Sequence, residues 1–361
     1  MATIEQPLPV AAEADTSTFS FREAREIVKD LMAPRQWIFW TDMILSAVIG
    51  YTFASLYLEL PGISIARVAC YFIAGFALFR AGTFIHEIVH LRRNSMLGFQ
   101  VAWNLLCGIP MLMPSFFYEN HADHHRKDHY GTHHDGEYLP LGAGPVRHFL
   151  FYFMQALALP ILVVIRFLII TPLSFFHSGL RQWALERASS YGINPGYRRE
   201  IPASAPRKIW GWLEVGCFIR TAAMIAVVLF GVYHWTRLFE LYTLAVMVIG
   251  LNYVRNLTAH RYRNKGEEMT YLGQLEDSVN ITGSPILTEL FFPLGLRYHA
   301  LHHLFPSIPY HSLGTAHRRL MEKLPADSPY RKTVCPGYWS VVRQIYSDAR
   351  ASGAARPAAQ G

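Results

Sequence analysis

Two apolar runs near the N-terminus, 37–60 and 63–85, constrain the fold of this chain more than any other feature. Each is close to the ~20 residues that an α-helix needs to cross a bilayer, and only Pro61 and Gly62 separate them. This short turn carries no lysine or arginine, whereas both outer flanks are basic. Because basic loops tend to remain in the cytoplasm, the pattern predicts a transmembrane hairpin with both ends on the cytoplasmic side.

The composition agrees with a membrane protein. Of the 361 residues, 52% are hydrophobic and only 16% are charged, whereas soluble domains carry about 25% charged residues. The formal net charge of +7 suits basic loops that face an anionic leaflet. The four cysteines form no CxxC pair, so they predict neither a disulfide framework nor a zinc ribbon. The basic residues are dispersed through the loops, which argues against nucleic-acid binding.

Three further apolar stretches lie at 96–117, 149–176 and 213–256. The last is long enough for two helices, and its prolines and glycines make the first a shallow, non-spanning segment. The stretch 149–176 has Arg166 at its centre, where a charge costs ~2.5–3.5 kcal/mol on insertion scales. We therefore interpret it as an interfacial or re-entrant segment. The predicted fold is an all-α integral membrane protein with four transmembrane helices in two hairpins, and a cytosolic helical cap.

The two ends of the chain differ from this membrane domain, which we predict over residues 36–350. Residues 1–35 predict a disordered lead-in followed by an amphipathic helix from Phe19, which fits either a membrane-interface helix or an ordinary surface helix. Residues 351–361 predict a disordered tail.

Most of the 17 histidines occur in clusters at the ends of the apolar runs. His86 and His90 are four residues apart, which places them on one helical face. The pattern HxxHH occurs twice, as His121, His124 and His125 and as His299, His302 and His303, and His260 follows the last apolar run. This set exceeds the four ligands of one zinc ion, so it predicts two metal ions. Imidazole ligands alone suit iron, zinc, copper or nickel.

These three ordered histidine groups resemble the membrane-bound fatty acid desaturases and their hydroxylase and ketolase relatives, over roughly Trp37 to Leu320. The resemblance implies two iron ions, O₂ as co-substrate and an active site on the cytoplasmic side. It also implies metal ligation by His86, His90, His121, His124, His125, His260, His299, His302 and His303, with Asn256 acting through a water molecule. The third group begins with His299 rather than the glutamine of front-end desaturases, which disfavours that specificity.

Five carboxylates are candidates to accept ring N–H bonds from these histidines and to fix their orientation: Glu87, Asp123, Asp128, Glu276 and Asp277. Three more histidines, His129, His133 and His134, follow the second group directly. Gly131 interrupts any helix there, so we expect these three to lie outside the ligand set, although replacement of one ligand by one of them stays open.

The function that this resemblance implies is O₂-dependent desaturation of the acyl chain of a fatty acid or lipid. A lipid hydroxylase or carotenoid ketolase would use the same ligands and remains the alternative. A more distant alternative is an intramembrane zinc protease, because His86, Glu87 and His90 form HExxH, but it leaves both HxxHH groups unused. No haem motif or ferredoxin cysteine spacing is present, so we expect an external electron donor, either a ferredoxin or a small cytochrome.

Overall fold

The computed structural model describes residues 19–92 and 94–354, so the predicted disorder of residues 1–18 and 355–361 lies outside the described part of the chain. The N-terminal half contains α1 (Phe21–Val28), α2 (Gln36–Glu59), α3 (Ile65–His90), α4 (Leu97–Trp103), α5 (His121–His124), α6 (Arg147–Ile165), α7 (Thr171–Phe176) and α8 (Ser178–Arg187). The C-terminal half contains α9 (Arg207–Leu229), α10 (Thr236–Asn256), α11 (Tyr271–Asp277), β1 (Asn280–Ile281), α12 (Pro285–Phe291), α13 (His299–Leu304), α14 (Tyr310–Lys323), α15 (Pro329–Lys332), β2 (Val334–Cys335) and α16 (Tyr338–Ala354).

Long apolar helices dominate the described residues, and five of them are long and apolar enough to cross a membrane: Gln36–Glu59, Ile65–His90, Arg147–Phe176, Arg207–Leu229 and Thr236–Asn256. The predicted N-terminal hairpin forms as α2 and α3, and the run 213–256 forms parts of α9 and α10. The helix α3 extends past the predicted end of its apolar run as far as His90. The first histidine pair therefore lies in the last two turns of a membrane helix.

The helix α3 packs against both α2 and α10, and small residues allow this close approach. A Cβ atom added at Gly50 of α2 would lie 2.7 Å from Cδ2 of Leu78. Gly75 of α3 is similarly close to the Met247 side chain of α10. Larger side chains at either glycine would push the helices apart, which is why small residues are common in such interfaces.

The stretch 149–176, which the sequence predicts to be interfacial or re-entrant, is unbroken in the structure. It forms a continuous helix from Arg147 to Phe176, in which a π-helical turn, Arg166–Ile170, joins α6 to α7. Arg166 is buried, and its guanidinium donates hydrogen bonds to Glu214, Thr171 and Ser189. Other residues of the protein therefore pair with the Arg166 charge. Insertion scales assign a cost to each residue separately and do not take such partners into account.

Two contacts attach this helix to the same connecting segment. Gln155 Nε2 donates to the Ile193 carbonyl at 3.1 Å, and Arg166 Nε donates to the Ala188 carbonyl at 2.9 Å. Gln155 and Arg166, eleven residues apart in the helix, are therefore both bound to residues 188–193.

The stretch 96–117 contains only short elements: α4, a π-helical turn (Asn104–Gly108) and the start of a 3-10 turn (Ser115–Tyr118). None of them is long enough to cross a bilayer. The segment is held against α3, because Trp103 Nε1 donates to the Ala81 carbonyl at 2.8 Å.

The terminal helices refine two of the predictions. Ala24 and Val28 of α1 are buried, and α1 packs against α14, as an ordinary surface helix does. At the other end, α16 continues to Ala354. Residues 351–354 of the predicted disordered tail are therefore helical in the structure.

Replacing Arg166 by methionine tests the structural role of the buried charge. The carboxylate of Glu214 then keeps only one of its two arginine partners, Arg181, at 2.6 Å. Breaking a buried pair typically costs about 3–5 kcal/mol, so we expect a clear fall in the thermal unfolding midpoint in detergent. The matched control is Arg198→Met, whose exposed pair with Glu186 contributes at most about 1 kcal/mol. Equal midpoints for the two variants would contradict this role.

Candidate metal centre

Histidines from four separate segments meet at one end of the helical bundle. These segments are the end of α3, the α5 region, the chain just after α10, and α13. Within each of two groups the possible ligand atoms lie within 4.8 Å of one another: His86, His90, His121 and His302 form one group, and His124, His260, His299 and His303 form the other.

His125 lies between the two groups. Its Nε2 atom is 3.0 Å from Nε2 of His121 and 3.0 Å from Nε2 of His302, both of the first group. Its ring centroid is 4.3 Å from that of His303 in the second group. The structure thus brings all nine predicted histidines into one continuous cluster.

Backbone pairing holds His260 and α13 side by side. His260 and Ser278 form an isolated antiparallel bridge, and the next residue, Val279, accepts a hydrogen bond from the Ala300 amide at 3.2 Å. In addition, Leu301 N donates to Asn280 Oδ1 at 3.2 Å. Residues 278–280 therefore connect two ligand-bearing segments that are 39 residues apart in sequence.

Two buried carboxylates fix histidines of the first HxxHH group. His121 Nδ1 lies 2.8 Å from Glu137 Oε1, and His124 Nδ1 lies 2.8 Å from Asp135 Oδ2. Asp135 in turn accepts from the amide nitrogens of Gly131 and Glu137, each at 2.8 Å. Such partners fix both the ring orientation and the proton on Nδ1.

A tyrosine and a buried carboxylate do the same for His260. Tyr130 Oη is 2.8 Å from His260 Nδ1 and donates its own proton to Asp277 Oδ2 at 2.8 Å. Tyr138 also donates to Asp277, at 2.9 Å. Since the Tyr130 proton is directed to Asp277, the Tyr130 oxygen accepts from His260, and this places the imidazole proton on Nδ1.

The resulting donor set fits a cation. Nε2 of His260 lies 2.9 Å from Nε2 of His299 and 3.1 Å from Nε2 of His124. With the protons on Nδ1, the Nε2 atoms of His124 and His260 both carry lone pairs. Lone pairs at this separation repel unless a positive charge lies between them. In the first group, both ring nitrogens of His86 and Nε2 of His90 are buried without a hydrogen-bond partner. Metal ligation would satisfy one ring nitrogen of each of these two histidines.

Burial also keeps most of the imidazoles neutral, which is the form that binds a metal. Burial lowers the pKa well below its usual value for His121, His125, His260, His299, His302 and His303. For His124, burial lowers the pKa, but the carboxylates of Asp135, Glu137 and Asp277 together outweigh it and the net shift is upward. Burial raises the pKa of Glu137 to about 7.

The predicted supporting carboxylates divide into two sets. Glu87 Oε1 is 3.5 Å from His86 Nδ1, and Asp277 reaches His260 through Tyr130, so the structure brings these two to the cluster. The other three face other partners: Asp123 lies near Arg126 and His129, Asp128 pairs with Arg126, and Glu276 lies near Lys332.

Several residues at the centre were absent from the prediction: Tyr118, Tyr130, Asp135, Glu137, Arg255 and Ser278. Asp135 and Glu137 lie ten or more residues beyond His124 in a loop without helical periodicity, so spacing gives no signal for them. Arg255 is buried in the last turn of α10 and, after burial and His124, further lowers the pKa of His260. The general preference of ligating histidines for carboxylate partners was the one available clue.

The remaining predicted residues lie at the margins of the cluster. Asn256 is buried as the last residue of α10, and its backbone carbonyl accepts from Tyr262 Oη at 2.6 Å. His129, His133 and His134 contact one another, with ring centroids 5.0 Å apart for His129 and His134. None of these three is in either group of possible metal ligands within the described residues.

Comparison with known proteins agrees with this geometry. Residues 63–334 match the family model for fatty acid desaturases. The chain belongs to the fatty acid desaturase family. It is also 37% identical over 335 residues to a ceramide hydroxylase of Caulobacter vibrioides (strain NA1000 / CB15N), an alignment that covers 91% of this chain and 93% of the relative.

Membership confirms the resemblance inferred from the three histidine groups. Members of this family are membrane oxidoreductases of a histidine-rich di-iron type, and this chain has the histidine clusters and several helices able to span a bilayer. The zinc-protease interpretation loses its support, because this family accounts for both HxxHH groups as well as for His86 and His90.

Replacing Asp135 by asparagine tests the carboxylate support. Loss of the charge that orients His124 should lower metal affinity or activity by about 10–100-fold. Bound metal is measured by elemental analysis after dialysis against graded chelator concentrations. Asp128→Asn is the matched control, because Asp128 is exposed and pairs with Arg126. Metal retention by Asp135→Asn equal to that of the control would contradict the assignment.

Proposed function

We propose that this protein is an O₂-dependent di-iron hydroxylase of a ceramide-type membrane lipid. The observation that carries the proposal is the cluster of nine imidazoles, in a chain that aligns with a ceramide hydroxylase over nearly its full length. Desaturation of an acyl chain is the second candidate, supported by the name of the matching family. Both reactions use the same metal ligands, so product chemistry distinguishes them.

The two histidine groups define the proposed ligands. His86, His90, His121, His125 and His302 hold one iron, and His124, His260, His299 and His303 hold the other. Asn256 adds a ligand to the second iron through a water molecule. A bound iron pair supplies the dioxygen chemistry needed to break an unactivated C–H bond, which amino-acid side chains cannot do.

The protein's own residues prepare this site in two ways. Asp135, Glu137 and the Tyr130–Asp277 pair hold protons on Nδ1, so that Nε2 of each supported histidine stays free to bind metal. The nearly complete burial of the ligands excludes bulk water, which limits side reactions of a reactive centre.

We propose four membrane crossings, α2, α3, α9 and α10, with the metal centre on the cytoplasmic side. The helix from Arg147 to Phe176 then lies along the cytoplasmic boundary. In support, Tyr152 Oη donates to the Tyr253 carbonyl near the histidine end of α10. Further along the helix, Phe167 stacks on Phe117, which precedes the second histidine group, with centroids 5.4 Å apart. The basic flanks of the first hairpin support the orientation.

Electrons must reach the metal centre from another protein, and we propose a ferredoxin or a small cytochrome that docks on the cytoplasmic face. The four cysteines of the chain are all buried and far apart in sequence. They therefore do not form the closely spaced set that holds an iron–sulfur cluster.

The reaction is tested with ceramide and ¹⁸O-labelled dioxygen in vesicles that contain a reducing system. We expect a product with one added ¹⁸O atom, formed by the unaltered protein but not by His302→Ala, which lacks one ligand. His133→Ala is the control, because His133 is exposed and outside both ligand groups. A product that has lost two hydrogen atoms and gained no oxygen would favour the desaturase candidate, and full activity of His302→Ala would contradict both.

The topology is tested with single cysteines in sealed vesicles, since the native cysteines are buried. We expect His133→Cys and Ser178→Cys to react from one side and Val232→Cys, in the turn between α9 and α10, from the other. If His133→Cys and Ser178→Cys reacted from opposite sides, the helix Arg147–Phe176 would be a crossing.

A further inference from the structure

An apolar groove of about 480 Å³ lies between α3 and α12. Phe76 and Arg80 of α3 line it together with Ile286, Glu289, Leu290 and Pro293. Arg80 precedes His86 by six residues, about 9 Å along a helix axis. A flexible chain bound in the groove therefore needs to extend only a short distance to reach the histidine cluster.

The groove opens toward the region that the bilayer occupies. The helix α3 is one of the candidate membrane spans, and α12 beside it exposes Ile286 (81%) and Leu287 (60%). Exposed large apolar side chains on a helix next to a membrane span indicate contact with lipid. Phe291 packs edge-on against Phe76, with centroids 5.4 Å apart, so α12 is fixed against α3. A ligand would thus enter from the bilayer.

A polar pair, formed by Arg80 and Glu289, also lines this otherwise apolar groove. Arg80 donates to both carboxylate oxygens of Asp42, at 2.7 and 2.6 Å, and to Glu289 Oε1 at 2.8 Å. These bonds use three of the five N–H groups of the guanidinium. The Glu289 side chain is 48% exposed, so the pair still offers N–H donors and a carboxylate acceptor to a ligand.

Charge and depth limit which headgroup can bind there. Two carboxylates and one guanidinium give the site a net negative charge, which repels phosphate and carboxylate headgroups. Asp42 also lies five residues inward from the exposed Trp37, about 8 Å along the helix, and tryptophans prefer the membrane interface. An ionic headgroup would lose its hydration at that depth. A small, uncharged headgroup with hydroxyl or amide groups would lose much less.

The polar pair is also connected to the metal centre. Tyr310 Oη donates to Asp42 Oδ2 at 3.0 Å, and the Tyr310 amide donates to Glu87 Oε2 at 3.1 Å. Glu87 is adjacent to His86 in α3. A headgroup held by Arg80 and Glu289 is therefore at a fixed position relative to the histidines.

We propose that this groove admits the lipid substrate from the bilayer, and that Arg80 and Glu289 are positioning residues that select an uncharged headgroup with hydroxyl or amide groups. The inference rests on the proposed function, because it supplies the substrate of that same centre. The inference goes beyond the proposed function because it assigns a path of substrate entry and a preference for uncharged headgroups.

Blocking the groove is the first test. Leu290→Trp fills the groove with a larger side chain. Leu287 lies on the same helix but does not line the groove, so Leu287→Trp is the matched control. Each protein, in lipid nanodiscs, is photolabelled with a ceramide that carries a diazirine in its acyl chain, and the labelled peptides are identified by mass spectrometry. We expect labelling of α3 and α12 in the unaltered protein and in Leu287→Trp, and loss of most of it in Leu290→Trp with iron content unchanged. Equal labelling of both variants would overturn the proposal.

Measuring ceramide hydroxylation by the same variants distinguishes a failure of this proposal from a failure of the proposed function. If Leu290→Trp hydroxylates ceramide with the KM of its control, the groove is not the entrance although the function stands. If labelling follows the groove but no ceramide product forms, the proposed function fails and the binding site remains.

Removing one charge is the second test. Glu289→Gln keeps the shape of the side chain and an acceptor oxygen, but it removes the charge that repels anions. We expect phosphatidic acid to compete with the photoreactive ceramide about tenfold better in Glu289→Gln than in the unaltered protein. Unchanged competition, with iron content and ceramide labelling retained, would contradict headgroup selection by charge.

Discussion

The convergence of imidazole lone pairs at a buried site is the constraint on which the rest of the structure depends. Carboxylates and a tyrosine hold the protons of His121, His124 and His260 on Nδ1, and this directs the Nε2 lone pairs toward one another. Burial removes the water that would otherwise separate them. Such an arrangement is unfavourable without positive charge, so the fold is arranged to bind cations.

The fold brings these histidines together by combining membrane helices with short polar segments. The hairpin of α2 and α3 places His86 and His90 at the end of a long apolar helix. Residues 278–280 join His260 to α13 through backbone hydrogen bonds. The same region carries α12, which forms the lipid-facing groove with α3. The metal site and the substrate entrance therefore share α3, and a change in the position of this helix would alter both.

The sequence predicted the elements that have local signals. Apolar run length predicted α2, α3 and the pair α9 and α10, and the four-residue spacing of His86 and His90 predicted that these two imidazoles share a helical face. It could not predict Asp135 and Glu137, because these reach the histidines through a loop whose path depends on tertiary contacts. The partners of Arg166 were equally hidden: Glu214 lies 48 residues away, and only the packed structure shows that the charge is satisfied. The prediction of disorder failed at 351–354 because composition does not show where a helix ends.

Crystals of the iron-loaded protein, measured at the iron absorption edge, test the central claim most directly. The account predicts two neighbouring anomalous peaks per chain, one among His86, His90, His121, His125 and His302 and the other among His124, His260, His299 and His303. A single peak per chain, or two peaks in separate parts of the molecule, would contradict it.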